Sequence, residues 1–397
     1  MVIPFYSEKL TNIGVLRATL LVNAEAAAKA TITVQDNVLL VGSDPVVNFS
    51  DVGVALASVP PVVTRPVETR TANQRVPIDV KLTLTKSSSY ASPDSEEWWP
   101  AKEVRHFQHM NCRNCANRLL QTSSSFQCKD LPSEHWYELV ECWICHETKP
   151  EEHRARMQPI LARPDALLVG STYFLVHPDN IISDAVVVDK PLASRVKWDR
   201  GTMSKWIMFN CNQCGHPIGE GQYEQRDEEI KLLAAKFFKY CVSILPSLKY
   251  QPTFIDFFVC DLLEAAKVHA THRFIIQGRN SSQIYALLWL FNWDTTVVYN
   301  KGFLDSSNEN STVYQERVMK VLYLDCSHND DILVQRHLLS WGKDKTADHL
   351  LYPDAYCRQL VTAICETTKL LPSSMRTMNH PAMTMTQNFS VGFVNRN

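Results

Sequence analysis

Three pairs of cysteines are the residues of this sequence whose type and spacing best suit chemistry. Two residues separate the members of each pair. The pairs are Cys112 and Cys115, Cys142 and Cys145, and Cys211 and Cys214. A two-residue spacer lets one tight turn direct two thiolates at the same ion, and two such turns complete a tetrahedral zinc site. A redox role is less favoured, because no strand-helix-strand pattern flanks any pair.

The spacing leaves open which two pairs share an ion. The first pair can join the second across a short insert, or the third across a much longer insert that strands would have to fill. Gly215 favours a zinc knuckle at the third pair, because glycine tolerates the left-handed turn after the second ligand. The alternative is that one or more pairs are reduced thiols of the core.

Charge and hydropathy exclude several classes of protein. Lys and Arg number 40 against 42 Asp and Glu, so the chain lacks the excess positive charge that phosphate binding needs. The apolar run at residues 284–291 is too short to cross a bilayer. The first residues lack the pattern of a secretory leader, so we expect the cysteines to be reduced. We predict neither a nucleic-acid partner nor a membrane partner.

The elements that must position these cysteines differ along the chain. The first hundred residues contain strand patterns, clearest where Ile78, Val80, Leu82 and Leu84 alternate with polar residues. Strands are also predicted at residues 166–176, 185–188 and 206–209. We therefore predict a β-rich domain at residues 1–225 that contains the zinc site.

Helices and strands mix in the rest of the chain. Apolar residues at helical spacing predict helices at residues 230–244 and 254–271, and the second is entered through Pro252 and Thr253. A hairpin is predicted from residues 273–277 to 284–291, a strand at 318–324 and mostly helix at 347–371. The tail from Met375 is expected to be loosely ordered. The prediction is an α+β fold with a second domain at residues 226–397.

Four stretches, in this order, resemble the HECT-like proteins that bind ubiquitin-conjugating enzymes. They are Leu-Pro-Ser-Glu-His-Trp at 131–136 with Glu-Cys-Trp-Ile-Cys-His at 141–146, Arg-Phe-Ile-Ile-Gln-Gly at 273–278 with Tyr-Ala-Leu-Leu-Trp-Leu at 285–290, Lys-Val-Leu-Tyr at 320–323, and Leu-Pro-Ser-Ser-Met-Arg-Thr-Met-Asn at 371–379. The resemblance spans roughly residues 112–379. It implies that structural zinc is held by the first and third pairs, Cys112, Cys115, Cys211 and Cys214. Cys142 departs from the family pattern.

The resemblance implies ubiquitin-protein ligase activity. A ubiquitin-conjugating enzyme would bind the helix at residues 254–271, where we predict Phe254, Phe258 and Leu262 as contacts. For thioester relay, Cys326 beside His328 is the first candidate nucleophile. The second candidate is Cys357, and the alternative for both is a buried structural thiol. The Leu-Pro…Thr-Cys signature of large HECT ligases is absent, so the sequence leaves direct catalysis undecided. Ubiquitin and cyclin B are the further partners that the resemblance implies.

The resemblance also implies a second function, in pre-mRNA 3′-end cleavage and polyadenylation, through fungal-type relatives. In that reading the protein is a non-catalytic chaperone of the metal-dependent cleavage endonuclease. Cys145 and His146 would occupy an open zinc position on the partner, and Trp143 would anchor the contact. The alternative is that these residues pack as core beneath the zinc site. We expect a cytoplasmic and nuclear protein, and the sequence has no clear basic cluster that would favour the nucleus.

Overall fold

The computed structural model describes residues 2–24, 27, 30–65, 75–85, 97–121, 126–132, 161–198, 204–226, 229–304, 312–327, 331–378 and 386–396. Within these residues the strands are β1 Phe5–Leu10, β2 Val15–Asn23, β3 Ile32–Gln35, β4 Val38–Val41, β5 Asp44–Asn48, β6 Val62–Thr64, β7 Arg75–Thr83, β8 His109–Cys112, β9 Gln127–Asp130, β10 Ala166–Val169, β11 Tyr173–Val176, β12 Val186–Val188, β13 Ser204–Cys211, β14 Pro217–Arg226, β15 Glu229–Phe238, β16 Val242–Leu245, β17 Arg273–Gly278, β18 Ile284–Tyr299, β19 Tyr314–Asp325, β20 Asp348–Tyr352, β21 Thr377–Met378 and β22 Phe389–Asn395. The α-helices are α1 Ala101–Val104, α2 Lys190–Ala193, α3 Phe254–Val268, α4 Ile332–Trp341 and α5 Asp354–Lys369.

The long strand β18 is the centre of a ten-stranded sheet. The main order of this sheet is β21-β22-β19-β18-β1-β2-β7-β6. One edge of β18 pairs with β19, and the other edge pairs with β17 in its first half and β1 in its second half. The register of the β18–β19 pair shifts between Leu290 and Thr295, where the two halves meet. Strand β20 continues this branch by pairing in parallel with β17.

Strand β17 is buried on both faces. Phe274 and Ile276 belong to the main core, whereas Ile275 belongs to a second core with Trp341 of α4. Because alternate side chains of a strand point to opposite faces, this double burial produces the continuous apolar run at residues 274–276. The predicted hairpin of β17 and β18 is confirmed.

A seven-stranded sheet forms the other wall of the main core. Its order is β12-β13-β14-β15-β11-β10-β9. The same core cluster contains Phe174 and Phe237 of this sheet, Ile276 of the ten-stranded sheet, and helices α3 and α5 through Phe257 and Leu360. A three-stranded sheet, β3-β4-β5, packs with β2 and β7 in a separate cluster.

Helix α3 confirms the predicted second helix. Its N-terminus carries a capping box, in which the Asp256 carboxylate accepts from the Thr253 backbone amide at 2.7 Å. The burial extends around most of the helix, including Phe254, Phe257, Phe258 and Leu262. Such burial is typical of a core helix.

The predicted helix at residues 230–244 is wrong. Residues 229–238 form β15, which pairs with β14 on one edge and β11 on the other, and β16 follows after a short 3₁₀ turn. The apolar spacing that suits a helix also supplies Ala235 and Phe237 to one face of a strand. Residues 229–238 are a strand rather than a helix because they pair with a strand on each side. The spacing of apolar residues along the chain contains no information about that pairing.

The C-terminal part is more regular than predicted. Residues 348–352 form β20 rather than helix, and α5 accounts for the rest of the predicted helical segment. The tail was expected to be loose, but β22 pairs with β19 and contributes Phe389 and Phe393 to a core. The long strand β19 offers an edge along which residues 389–395 can pair. This short segment, flanked by polar residues, therefore becomes an inner strand of the sheet.

The coarse α+β class is confirmed by this mixture of sheets and core helices. Strands from both predicted domains share the ten-stranded sheet. The predicted boundary between residues 225 and 226 falls in the last residues of β14, which pair with the first residues of β15. The division into two domains stays a prediction. Among the helices of the described residues, none has the length and apolar character needed to cross a bilayer.

Candidate metal centre

Two matching turns bring four cysteines together. Cys112 ends β8 and Cys211 ends β13. In the first turn the Ala116 amide donates to the Cys112 carbonyl at 2.9 Å, and in the second the Gly215 amide donates to the Cys211 carbonyl at 2.8 Å. Ala116 and Gly215 both have left-handed backbones, with φ of 59° and 71°. The glycine adopts this conformation freely, whereas the Cβ of the alanine opposes it.

The four sulfurs have the spacing of a tetrahedral thiolate site. The Sγ atoms of Cys112, Cys115, Cys211 and Cys214 all lie within 4.8 Å of one another. Cys112 Sγ lies 3.8 Å from Cys214 Sγ, and Cys115 Sγ lies 3.6 Å from Cys211 Sγ. A tetrahedron with metal–sulfur bonds of about 2.3 Å has edges of about 3.8 Å. The first and third pairs therefore have the geometry to share one ion, and these distances exclude disulfides.

The protein environment gives Cys112 and Cys214 very different acidity. Burial raises the pKa of Cys112 to about 12. Burial also opposes ionisation of Cys214, but hydrogen bonds from the Asn114 side chain and the His216 backbone outweigh it and lower the pKa of Cys214 to about 7. A cation that binds here must displace the protons of the less acidic thiols, so its affinity rises with pH.

Contacts around the cluster tie it to the core helices. The Arg113 guanidinium donates to the carbonyls of Tyr240, at 3.3 Å, and of Pro252, at 2.9 Å, just before α3. His216 Nε2 lies 3.1 Å from the Tyr356 hydroxyl on α5. The contacts of Arg113 and His216 could not be predicted from the sequence. More than a hundred residues separate the two partners of each contact, and no local pattern indicates that they meet.

The two predicted nucleophiles lie in the core. Cys326 follows β19 and Cys357 lies on α5, and both residues have 0% of their surface exposed. The Cys326 thiol donates to the Leu324 carbonyl at 3.5 Å, and the Cys357 thiol is 3.5 Å from the carbonyls of Gln277 and Tyr352. Burial raises the pKa of each thiol to about 12. Neither sulfur has the exposure and low pKa of an activated thiolate.

The predicted contact residues of α3 are also internal. Phe254, Phe258 and Leu262 are buried, and Phe254 packs against the rings of Tyr240 and Tyr352. A contact role for these side chains conflicts with their burial, because a partner cannot reach them while the core is closed. Apolar periodicity in the sequence does not distinguish a core helix from a docking helix.

The remaining predicted site residues are outside the described residues. They are Trp143, Cys145 and His146, together with Cys142 and with His328 beside Cys326. The chaperone function that rests on the first three stays a hypothesis.

Comparison of the chain with known protein families finds one match. The profile described as HECT-like ubiquitin-conjugating enzyme (E2)-binding matches residues 8–382. The chain belongs to this family. The resemblance drawn from the four sequence stretches is therefore confirmed, and the match extends beyond them into the N-terminal strands.

Relatives of the chain have modest identity over similar lengths. An E3 ubiquitin-protein ligase of Mus musculus is 28% identical over 285 residues, which cover 68% of each chain. A ligase of the same name from Homo sapiens is 25% identical over 296 residues, 68% of this chain and 69% of the relative. An uncharacterised protein of Saccharomyces cerevisiae is 22% identical over 305 residues, 73% of this chain and 72% of the relative. No solved structure is significantly similar to the chain.

Proposed function

We propose that this protein is a ubiquitin-protein ligase that holds a ubiquitin-conjugating enzyme near its substrate. The observation that carries the proposal is the match of residues 8–382 to an E2-binding family. The names of the mouse and human relatives, both E3 ligases, support the same function.

The proposed mechanism is positioning rather than thioester relay. Relay needs an exposed nucleophilic thiolate, whereas Cys326 and Cys357 are buried thiols with a pKa of about 12. A charged conjugating enzyme already carries ubiquitin as a thioester. The ligase then contributes by holding this thioester and the acceptor amine together, which converts a bimolecular step into a unimolecular one.

The test is a reconstituted reaction with ubiquitin, its activating enzyme and a panel of conjugating enzymes. We expect ubiquitin transfer to depend on the protein and to stay within about twofold in Cys326→Ala and Cys357→Ala. We also expect no ubiquitin adduct on the protein that a reducing agent releases. Two results together would establish relay instead. A folded alanine variant would transfer ubiquitin more than about tenfold more slowly, and the wild-type protein would form a ubiquitin adduct that a reducing agent releases. The absence of transfer with every conjugating enzyme would reject the ligase function.

The conjugating enzyme is proposed to contact the exposed end of α3. In α3 the exposed residues are Lys267 and Val268 at its C-terminus, whereas Ile255, Asp261 and Glu264 are half-buried and the other residues are buried. We expect Lys267→Glu and Val268→Asp to weaken conjugating-enzyme binding at least about fivefold in a titration. Lys343→Glu is the matched control, because it makes the same charge change at an exposed position after α4. Equal binding by all variants would place the contact elsewhere.

The ion of the four-cysteine cluster is proposed to be zinc, in a structural role. Four thiolates in a tetrahedron suit zinc, and such closed sites leave no position for substrate. The contacts of Arg113 and His216 with the core helices support a structural role. Metal analysis of the purified protein should give one zinc per chain. Cys115→Ser should lower this ratio, whereas Cys128→Ser, outside the cluster, should not. An equal ratio in both variants contradicts the assignment.

A further inference from the structure

Asn117 and His216 occupy the same position in the two cysteine turns. Each follows the second cysteine of its turn by two residues. In each turn the carbonyl of this residue accepts from the amide of the first cysteine at 2.8 Å. Its own amide donates to the Sγ atom of the second cysteine. The backbones of Asn117 and His216 therefore do the same work in the two turns.

The side chains of these two residues make different contacts. Asn117 Nδ2 lies 3.6 Å from Cys211 Sγ, a sulfur of the other turn. The His216 ring instead contacts α5, where its Nε2 atom lies 3.1 Å from the Tyr356 hydroxyl. The asparagine side chain thus joins the two turns to each other, whereas the histidine side chain joins the second turn to the core.

The segment after the first turn holds Asn117 in place. The Leu119 amide donates to the Met110 carbonyl at 2.8 Å, and Arg118 forms an antiparallel bridge with Asn111. Leu119 and Met110 have 0% of their surface exposed, and Asn117 itself is half-buried. Because the backbone on both sides of Asn117 is fixed, its amide loses little further freedom when it meets the sulfur.

An amide donor matters at Cys211 because of charge. Four thiolates carry more negative charge than one divalent cation neutralises, and hydrogen bonds to the sulfurs stabilise the excess. Cys211 has 0% of its surface exposed, so water is poorly placed to supply a donor to its sulfur. A thiolate only accepts hydrogen bonds, which requires Asn117 to present its Nδ2 atom. Asparagine provides this donor without adding a charge.

Asn114 makes a related contact in a more exposed place. Its side chain donates to the Sγ atom of Cys214, again from the first turn to the second. Asn114 is exposed, whereas Asn117 is half-buried. Water can replace the Asn114 amide more easily, so its contribution to metal binding should be the smaller of the two.

We propose that Asn117 is a positioning residue of the metal centre, whose side-chain amide orients Cys211 and stabilises its thiolate. The contact spans 94 positions of the sequence, so it acts between the turns rather than within one. The inference deepens the structural zinc proposed above and rests on it.

The first measurement is the zinc affinity of the full-length protein, in competition with a chromophoric chelator. Asn117→Ala removes the amide donor, and we expect the dissociation constant for zinc to rise about ten- to a hundredfold. Asn117→Asp keeps the shape of the side chain but replaces the donor with an acceptor, so it should weaken binding at least as much. Asn114→Ala should weaken binding less than about threefold. Asn212→Ala is the matched control, an exposed asparagine of the second turn, and should change the constant less than about twofold.

The second measurement separates a hydrogen bond to sulfur from a general structural role. In the protein loaded with Co²⁺, the thiolate-to-metal charge-transfer bands report the energy of the sulfur lone pairs. Loss of a donor raises this energy, so the bands of Asn117→Ala and Asn117→Asp should move to longer wavelength. His216→Ala, at the equivalent position, should leave the bands in place, because the histidine ring contacts α5.

The outcomes distinguish this inference from the zinc assignment. If the wild-type protein binds no zinc, the structural zinc fails and the role of Asn117 fails with it. If the wild type binds zinc, but folded Asn117→Ala or Asn117→Asp binds it as tightly, the role of Asn117 alone is overturned. Weaker zinc binding without a shift of the cobalt bands, or an equal loss in Asn212→Ala, overturns it as well. Circular dichroism identifies the folded variants, and either Asn117 variant is sufficient for the test.

Discussion

The four clustered cysteines and the two core cysteines illustrate how placement determines the chemistry of one side chain. The clustered sulfurs lie at the tips of two turns, within 4.8 Å of one another, and one of them has a pKa lowered to about 7. Cys326 and Cys357 lie among apolar side chains, and burial raises their pKa to about 12. The first group can bind a cation, whereas the second group packs as small apolar residues do.

Loss of one clustered thiol should have the largest effect. Cys214→Ser removes a ligand, and we expect the free energy of unfolding to fall by at least about 3 kcal/mol, because metal binding contributes directly to folding. Urea unfolding with parallel metal analysis measures this. Cys128→Ser should cost less than about 1 kcal/mol, since its thiol makes only a weak contact of 3.8 Å with the Val104 carbonyl. Equal free energies of unfolding for Cys214→Ser and Cys128→Ser would show that the clustered thiol contributes no more to stability than a thiol outside the cluster.

The core thiols should resist alkylation. A rise in pKa from 9.0 to about 12 lowers the thiolate fraction at pH 8 roughly a thousandfold for Cys326 and Cys357. We expect their reaction with iodoacetamide in the native protein to be slower than in urea by at least this factor. Mass spectrometry of the two peptides measures the rates. Rapid native labelling of either residue would restore it as a candidate nucleophile.

Stability should fall at alkaline pH for the same reason. A folded-state pKa of about 12 lies above the unperturbed value of 9.0, so each thiol's contribution is fully present below pH 9 and is lost as the pH rises towards 12. In this window each buried thiol lowers the free energy of unfolding by about 1.4 kcal/mol per pH unit. Urea unfolding at pH 8, 9 and 10 should show a smaller decline in the Cys326→Ala/Cys357→Ala variant. The same slope in both proteins would argue against burial of these thiols.

Truncation of either core thiol should have a moderate effect at neutral pH. Cys326→Ala and Cys357→Ala each leave a small cavity, and we expect a loss of about 1 kcal/mol in the free energy of unfolding. The measurement is urea unfolding at pH 7 with the metal content unchanged. A loss of more than about 3 kcal/mol would indicate a role beyond packing.

The smallest predicted change is a gain at the metal turns. Ala116 has a φ of 59°, which its Cβ opposes, whereas the equivalent residue of the other turn is Gly215. Ala116→Gly should raise the free energy of unfolding by up to about 1 kcal/mol, because it removes this strain. Gly215→Ala is the opposite change and should lower stability by a similar amount. Thermal unfolding of both variants checks the sign, and equal shifts in one direction would contradict the equivalence of the turns.

Local features of this protein were predictable where short-range contacts determine them. The cysteine turns, the capping box at Thr253 and the β17–β18 hairpin each depend on residues close in the chain. Whether residues 229–238 form a strand or a helix, and whether Phe258 is buried, depends on partners far away in the sequence. The ion pair of Glu220 with Arg279 was not predicted for the same reason, because the two residues are 59 positions apart in the sequence and meet only in the folded protein.

The place of β1 in the ten-stranded sheet has a consequence for synthesis on the ribosome. Ser7 of β1 donates to the carbonyl of Val298, a partner 291 residues later in the chain. The N-terminal strands therefore emerge long before the edge that β1 pairs with has been translated. During that interval β1 exposes an unpaired edge, so nascent chains should recruit chaperones that shield such edges until β18 emerges.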